Sequence, residues 1–141
     1  MKNVYTWAAK PAKRSTTVGD LKAAKGKKKF TQVTANTVDE AAAAEKAGFD
    51  MIIANAKNII PVREGSKNLF LTAALVLNEF VTADDIMRGA FKALENGADA
   101  VMTPRSMDIV EMLAKEDVPV MGHLGFCLLY TSDAADDHHR V

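Results

Sequence analysis

Asn36, Asn55, Lys57, Arg105 and His123 each come after a short apolar run, and their types suit the capture of a small anion. Two neutral carboxamides and two cations can hold a carboxylate, the Arg105 guanidinium in bidentate fashion. His123, flanked by Gly122 and Gly125, can hydrogen-bond a keto or carboxylate oxygen, or act as acid or base near neutral pH. Plainer roles compete with these. Lys57 and Arg105 also read as solvated loop residues, and His123 as a packed histidine satisfied by a backbone carbonyl.

The apolar runs are followed by Thr34-Ala35-Asn36, Asn55-Ala56-Lys57, Ala73-Ala74, Thr103-Pro104-Arg105 and Gly122-His123, with no carboxylate among them. Mg2+ is bound through hard oxygen ligands, usually including carboxylates, so no metal site is expected in these positions. The single cysteine, Cys127, excludes an internal disulfide framework and a multi-thiolate zinc site. No G-x-G-x-x-G or Walker pattern occurs, which leaves nucleotide binding unsupported. The basic cluster Lys25-Gly26-Lys27-Lys28-Lys29 has no interleaved aromatics and reads as a solvated loop.

The elements that must position these residues follow from the pattern around them. With 141 residues, 48% of them hydrophobic, the chain can build one globular core. Eighteen basic residues balance eighteen acidic ones, so neither nucleic acid nor an anionic membrane is expected as a partner. No apolar stretch reaches the roughly 18 residues of a membrane span, nor does the start carry a signal-peptide core; a cytoplasmic protein is the expectation.

Residues 1–16 lack periodicity and read as an extension that docks through Trp7 or stays mobile. Thr17-Val18-Gly19-Asp20 has capping-box spacing and predicts a short helix from Val18 to Lys25. Phe30 to Val33 is β-prone. Thr37-Val38-Asp39-Glu40 then caps an alanine-rich helix ending at Ala47-Gly48, and Asp50 to Ala54 gives the next strand. Asn55 to Asn68 reads as a longer loop and Leu69 to Ala74 as a strand. Thr82 caps a helix whose Ile86, Ala90 and Leu94 form one stripe, Asp99 to Met102 follows as a strand, Ser106 can cap a further helix, and Val118 to Met121 is a fifth strand. EKAGFDMII and ENGADAVM share one layout of helix end, Gly, one residue, Asp and strand. Apolar strands alternating with amphipathic helices predict a parallel α/β sheet, either doubly wound or part of a (β/α) barrel. Five strands are too few to close the eight-stranded barrel.

The phrases TTVGDLKAAKGKKKFTQVTA, AAAAEKAGFDMII, ENGADAVM and VPVMGHLGF resemble the ketopantoate (3-methyl-2-oxobutanoate) hydroxymethyltransferase family of the phosphoenolpyruvate/pyruvate barrel superfamily. PVMGHLG is the most specific of them. The resemblance, over about Thr17 to Phe126, implies the N-terminal part, about five strands, of a (β/α)8 TIM barrel. It implies an enzyme of pantothenate biosynthesis that transfers a hydroxymethyl group from methylenetetrahydrofolate to 2-oxoisovalerate, with Mg2+ stabilising the enolate. A homo-oligomer is expected of the full-length protein.

At the matching positions the acidic residues differ. Asn55-Ala56-Lys57 stands where the family has Gly-Asp-Ser, Ala74 where it has a metal-binding Asp, and Met102-Thr103-Pro104 where it has Lys-Leu-Glu. His123 is the site residue that survives. Two classes of function follow. One is altered chemistry on a small keto acid or other small anion held by Asn36, Asn55, Lys57, Arg105 and His123, without Mg2+. The other is a catalytically silent homologue that acts by binding or as a partner subunit. Cys127 to Asp137 back-translate to a sequence resembling a transposon-end adapter of sequencing libraries, and residues 127–141 are expected to be a non-native tail.

Overall fold

The computed structural model describes residues 1–124; the expected tail, and the Phe126 boundary before it, lie outside them. A hairpin of β1 (Lys2–Tyr5) and β2 (Pro11–Arg14) opens the chain, followed by α1 (Val18–Ala23). Then come β3 (Gln32–Thr34), α2 (Val38–Lys46), β4 (Met51–Asn55), α3 (Ile59–Gly65), β5 (Phe70–Ala74), α4 (Ala83–Glu95), β6 (Ala100–Thr103), α5 (Met107–Lys115) and β7 (Val120–Gly122). No helix among the described residues is long and apolar enough to cross a membrane.

Residues 1–16 dock through Trp7, one of their two expected forms, its ring centroid 5.3 Å from that of Phe91 of α4, and they fold as a paired hairpin, Lys2 opposite Arg14, that the lack of periodicity does not reveal. A second segment, expected as a loop, differs. The Asn55 to Asn68 stretch is a 3-10 turn, Ala56–Asn58, leading into α3. Pro61 hides this helix in the sequence, yet it falls in the first turn, where a missing N–H costs nothing. Ile59 and Val62, three apart, supply its buried face.

Three helix starts are capped as their sequences require. Thr17 with Asp20, Thr37 with Glu40 and Thr82 with Asp85 each form a reciprocal capping box. Ser106 occupies the N-cap of α5, but its side chain makes no capping bond. Gly48 (φ 81°) and Gly97 (φ 108°) end α2 and α4 in the left-handed region that glycine tolerates.

Strands β3 to β7 pair in parallel and in chain order, β3-β4-β5-β6-β7. A doubly wound sheet reverses its strand order at a switch point and carries helices on both faces. Here the order never reverses. Ile52, Leu71 and Val101 face a single core with Ala41 of α2, Val62 of α3, Leu94 of α4 and Leu113 of α5. The four crossover helices therefore share one side, the winding of a (β/α) barrel. On the other, inner face, Met51, Phe70 and Ala100 pack under Val18 and Leu21 of α1, which closes the N-terminal end of the sheet.

The repeated Gly-x-Asp phrase also belongs to that N-terminal end. Asp50 accepts bonds from the Thr31 backbone N–H at 2.7 Å and its hydroxyl at 2.9 Å, just before neighbouring β3. Asp99 accepts from the Leu71 N–H of neighbouring β5 at 2.9 Å. Each aspartate ties the start of its strand to the strand beside it.

Candidate functional site

Side chains alternate along a strand, so residues two apart share a face. Register then fixes rows across the sheet: Met51 lies beside Phe70, Ile53 beside Thr72 and Ala100, and Asn55 beside Ala74 and Met102, with Met121 next. The last of these is the inner row at the C-terminal end, where barrels carry their chemistry. Asn36, two beyond Thr34, and His123, two beyond Met121, extend the same end.

Asn36 and Asn55 are brought together. The Asn36 Oδ1 accepts from the Asn55 backbone N–H at 2.8 Å and from Asn58 Nδ2 at 3.2 Å. The Asn55 Oδ1 in turn accepts from the Lys57 N–H at 3.0 Å, forming the turn that starts the 3-10 segment. Both carboxamide oxygens are thus occupied within the protein. What the two side chains retain for a ligand is their NH2 donors. The Asn36 N–H itself donates to Glu40 Oε2 at 2.7 Å, which fixes the residue against the start of α2 and is the first cause of the lowered pKa of Glu40.

Lys57 extends over the rim with its side chain largely exposed, and its Nζ pairs with Glu79 Oε1 at 3.2 Å. Arg105 Nη2 donates to the carbonyl oxygens of Leu77 at 2.8 Å and Phe80 at 3.0 Å. It brackets the loop after β5. His123 is exposed at the end of β7.

Glu79 is the residue that reading strand ends alone misses. It stands five positions beyond β5, in the turn closed by the bonds from the Glu79 and Phe80 N–H groups to the Val76 carbonyl. Its side chain is 23% exposed; Oε2 is buried without a partner, and so is Nε of Arg105. The available signal was the position of Leu77-Asn78-Glu79-Phe80 between a buried strand and a capped helix, at the same end as the other candidates.

No group of three or more His, Cys, Asp or Glu able to hold a metal ion occurs among the described residues. A cavity of about 620 Å3 lies between α1 and β7, lined by Val18, Leu21, Phe70, Ala100 and Met121 among others. None of the candidate residues lines it.

No family model matches the chain. Individual proteins do. It is 40% identical to a 3-methyl-2-oxobutanoate hydroxymethyltransferase of Deinococcus radiodurans, over 57% of this chain and 30% of that protein. Identity to the enzyme of that name from Kosmotoga olearia is 32%, over 72% of this chain and 47% of the relative. For Pyrobaculum calidifontis it is 30%, over 80% and 52%. The chain spans about half the length, or less, of these curated relatives.

Proposed function

The chain is a divergent relative of the 3-methyl-2-oxobutanoate hydroxymethyltransferases, and from that kinship we propose that it binds a small 2-oxo acid of the 2-oxoisovalerate type at the C-terminal end of its sheet. One observation carries this reading. With the Oδ1 atoms of Asn36 and Asn55 already accepting bonds, the rim offers donors: two carboxamide NH2 groups and the Lys57 ammonium. Such a rim suits a carboxylate and a keto oxygen, each of which only accepts.

The same donor set argues against Mg2+. A divalent cation needs several oxygens, and here Asn36 Oδ1 already accepts two bonds and Asn55 Oδ1 one, Glu79 Oε1 is paired with Lys57, and no group of three His, Cys, Asp or Glu among the described residues could hold a metal ion. Binding of the keto acid is therefore proposed to be metal-independent. The metal-assisted hydroxymethyl transfer of pantothenate biosynthesis is proposed to be altered or lost. His123, exposed at the end of β7, is proposed as the acid or base that serves the ligand.

Calorimetric titration of 2-oxoisovalerate into the whole chain, with and without chelator, tests this. Saturable binding that persists in chelator is expected. Absence of binding, or binding that appears only on adding Mg2+, would overturn it.

A further inference from the structure

Among the described residues the parallel sheet has two open margins: β3 pairs only with β4, and β7 only with β6. Backbone groups alternate in direction along a strand. The Val101 N–H donates to the Pro119 carbonyl, so the next residue, Val120, points its N–H and C=O away from β6. On β3 the Thr31 carbonyl and the Ala35 N–H face β4, which turns Gln32 and Thr34 outward. Such margins are templates for a further strand. They also differ in charge at the same end. The exposed Lys25, Lys27, Lys28 and Lys29 precede β3, and the exposed Glu116 and Asp117 precede β7. Lys28 lies 3.8 Å from Asp50, and Lys115 pairs with Glu111 at 2.8 Å. Among the described residues Lys25, Lys27, Lys29, Glu116 and Asp117 enter no ion pair.

We propose that copies of this chain join margin to margin, β7 of one pairing in parallel with β3 of the next. Parallel pairing sets the N-terminal ends of the two strands side by side, so Glu116 and Asp117 of one copy meet the lysine loop of the other. It also continues the apolar layer beneath the helices, because Val120 and Val33 both pack, half-buried, at the edges of the main core. A two-fold pairing of like margins would run antiparallel and leave each charged cluster without its counterpart. The contact is therefore head-to-tail, and assembly proceeds until a ring closes or continues open-ended. This proposal does not depend on keto-acid binding.

Sedimentation velocity of the whole chain, run across protein concentration at low and high salt, tests this. Concentration-dependent assembly is expected, weaker at high salt because both clusters are exposed. One variant carries Lys27→Glu and Lys29→Glu; the other carries Glu116→Lys and Asp117→Asn, the asparagine keeping the left-handed backbone at φ 58°. Each alone is expected to associate at least about tenfold more weakly than the unaltered chain. Mixed in equal amounts they present opposite charges to one another again, and assembly is expected to return. Val120→Pro removes only an outward N–H, so it is expected to keep its thermal melt and to block assembly. A chain that stays monomeric overturns the proposal and leaves the margins to another occupant. Assembly that survives charge reversal and Val120→Pro, or variants that do not recover on mixing, overturn it as well.

Discussion

Arg14 and Asp99, 85 positions apart, meet as a nearly buried pair in which Arg14 Nε donates to both carboxylate oxygens, at 2.8 and 3.0 Å. Arg14 is 4% exposed. Asp99 also accepts from Arg63 Nη2 of α3 at 2.9 Å and from the Leu71 N–H at 2.9 Å. One carboxylate thus joins the hairpin, α3, β5 and the start of β6. Burial pulls the Arg63 pKa down to about 10 in spite of the adjacent carboxylate. Asp99→Asn leaves two buried guanidinium groups uncompensated and is expected to cost about 3–5 kcal/mol. Arg14→Ala is expected to cost less, because Asp99 keeps two of its donors. Urea denaturation of both variants measures the difference; a loss of stability in Arg14→Ala equal to or above that of Asp99→Asn contradicts this ranking.

Helix packing depends on two glycines to different degrees. A Cβ built on Gly65 would lie 2.1 Å from the Val38 carbonyl oxygen, where α3 crosses the start of α2. One built on Gly89 would lie 2.3 Å from Phe80 Cε1, a ring that can swing aside at the loop. Gly65→Ala must move backbone and is expected to destabilise by about 2–3 kcal/mol, near the upper end of overpacking costs. Gly89→Ala is expected to cost less overall but to loosen the Val76–Phe80 turn. Denaturation midpoints check the first effect, and Phe80 ring signals in NMR spectra the second.

What was legible in the sequence was mostly local. Thr17, Thr37 and Thr82 could be read as caps because each bonds only three residues along. The alternation of apolar runs with capped helices predicted the parallel sheet; strand order, which separates a barrel from a doubly wound sheet, needed the pairing itself. The hairpin was hidden because its turn holds Ala9 at φ 56° where a glycine would have signalled it, and because Arg14 is fixed by a distant Asp99. The Gly-x-Asp layout was visible, but its purpose was not, since each aspartate bonds a different strand. At the site, sequence placed Asn36 and Asn55 at one end but not in contact. It also stopped short of Glu79, which pairs with Lys57 from a turn that periodicity does not describe.

Acid should weaken the fold in a defined window. Asp20 is held down to about 2, first by the Lys2 ammonium and then by Thr17. Glu40, Asp50 and Asp85 are lowered too, chiefly by backbone N–H groups of Asn36, Thr31 and Thr82. A carboxylate whose pKa falls on folding contributes stability above its unfolded value, near 4. That contribution disappears as pH drops through the folded value. Stability is therefore expected to be level from about pH 6 to 5 and to decline from about pH 4 toward 2. Urea midpoints recorded across this range check it, and in Glu40→Gln part of the decline should be missing. A profile that climbs below about pH 4 would contradict the assignment.

Asn36→Asp separates the architecture of the rim from its chemistry. The aspartate keeps an oxygen to accept from the Asn55 N–H and Asn58 Nδ2, the two bonds that join successive strand ends. It loses the NH2 donor and places a negative charge where an anionic ligand is proposed to sit. Thermal stability is therefore expected to change little, while affinity for 2-oxoisovalerate falls at least about tenfold, since bonds to charged groups are among the stronger ones. Asn36→Leu, by contrast, strips the Asn55 N–H of its partner and should lower both stability and affinity. If Asn36→Asp binds the keto acid as well as the unaltered chain does, the donor-lined rim is not what holds the ligand.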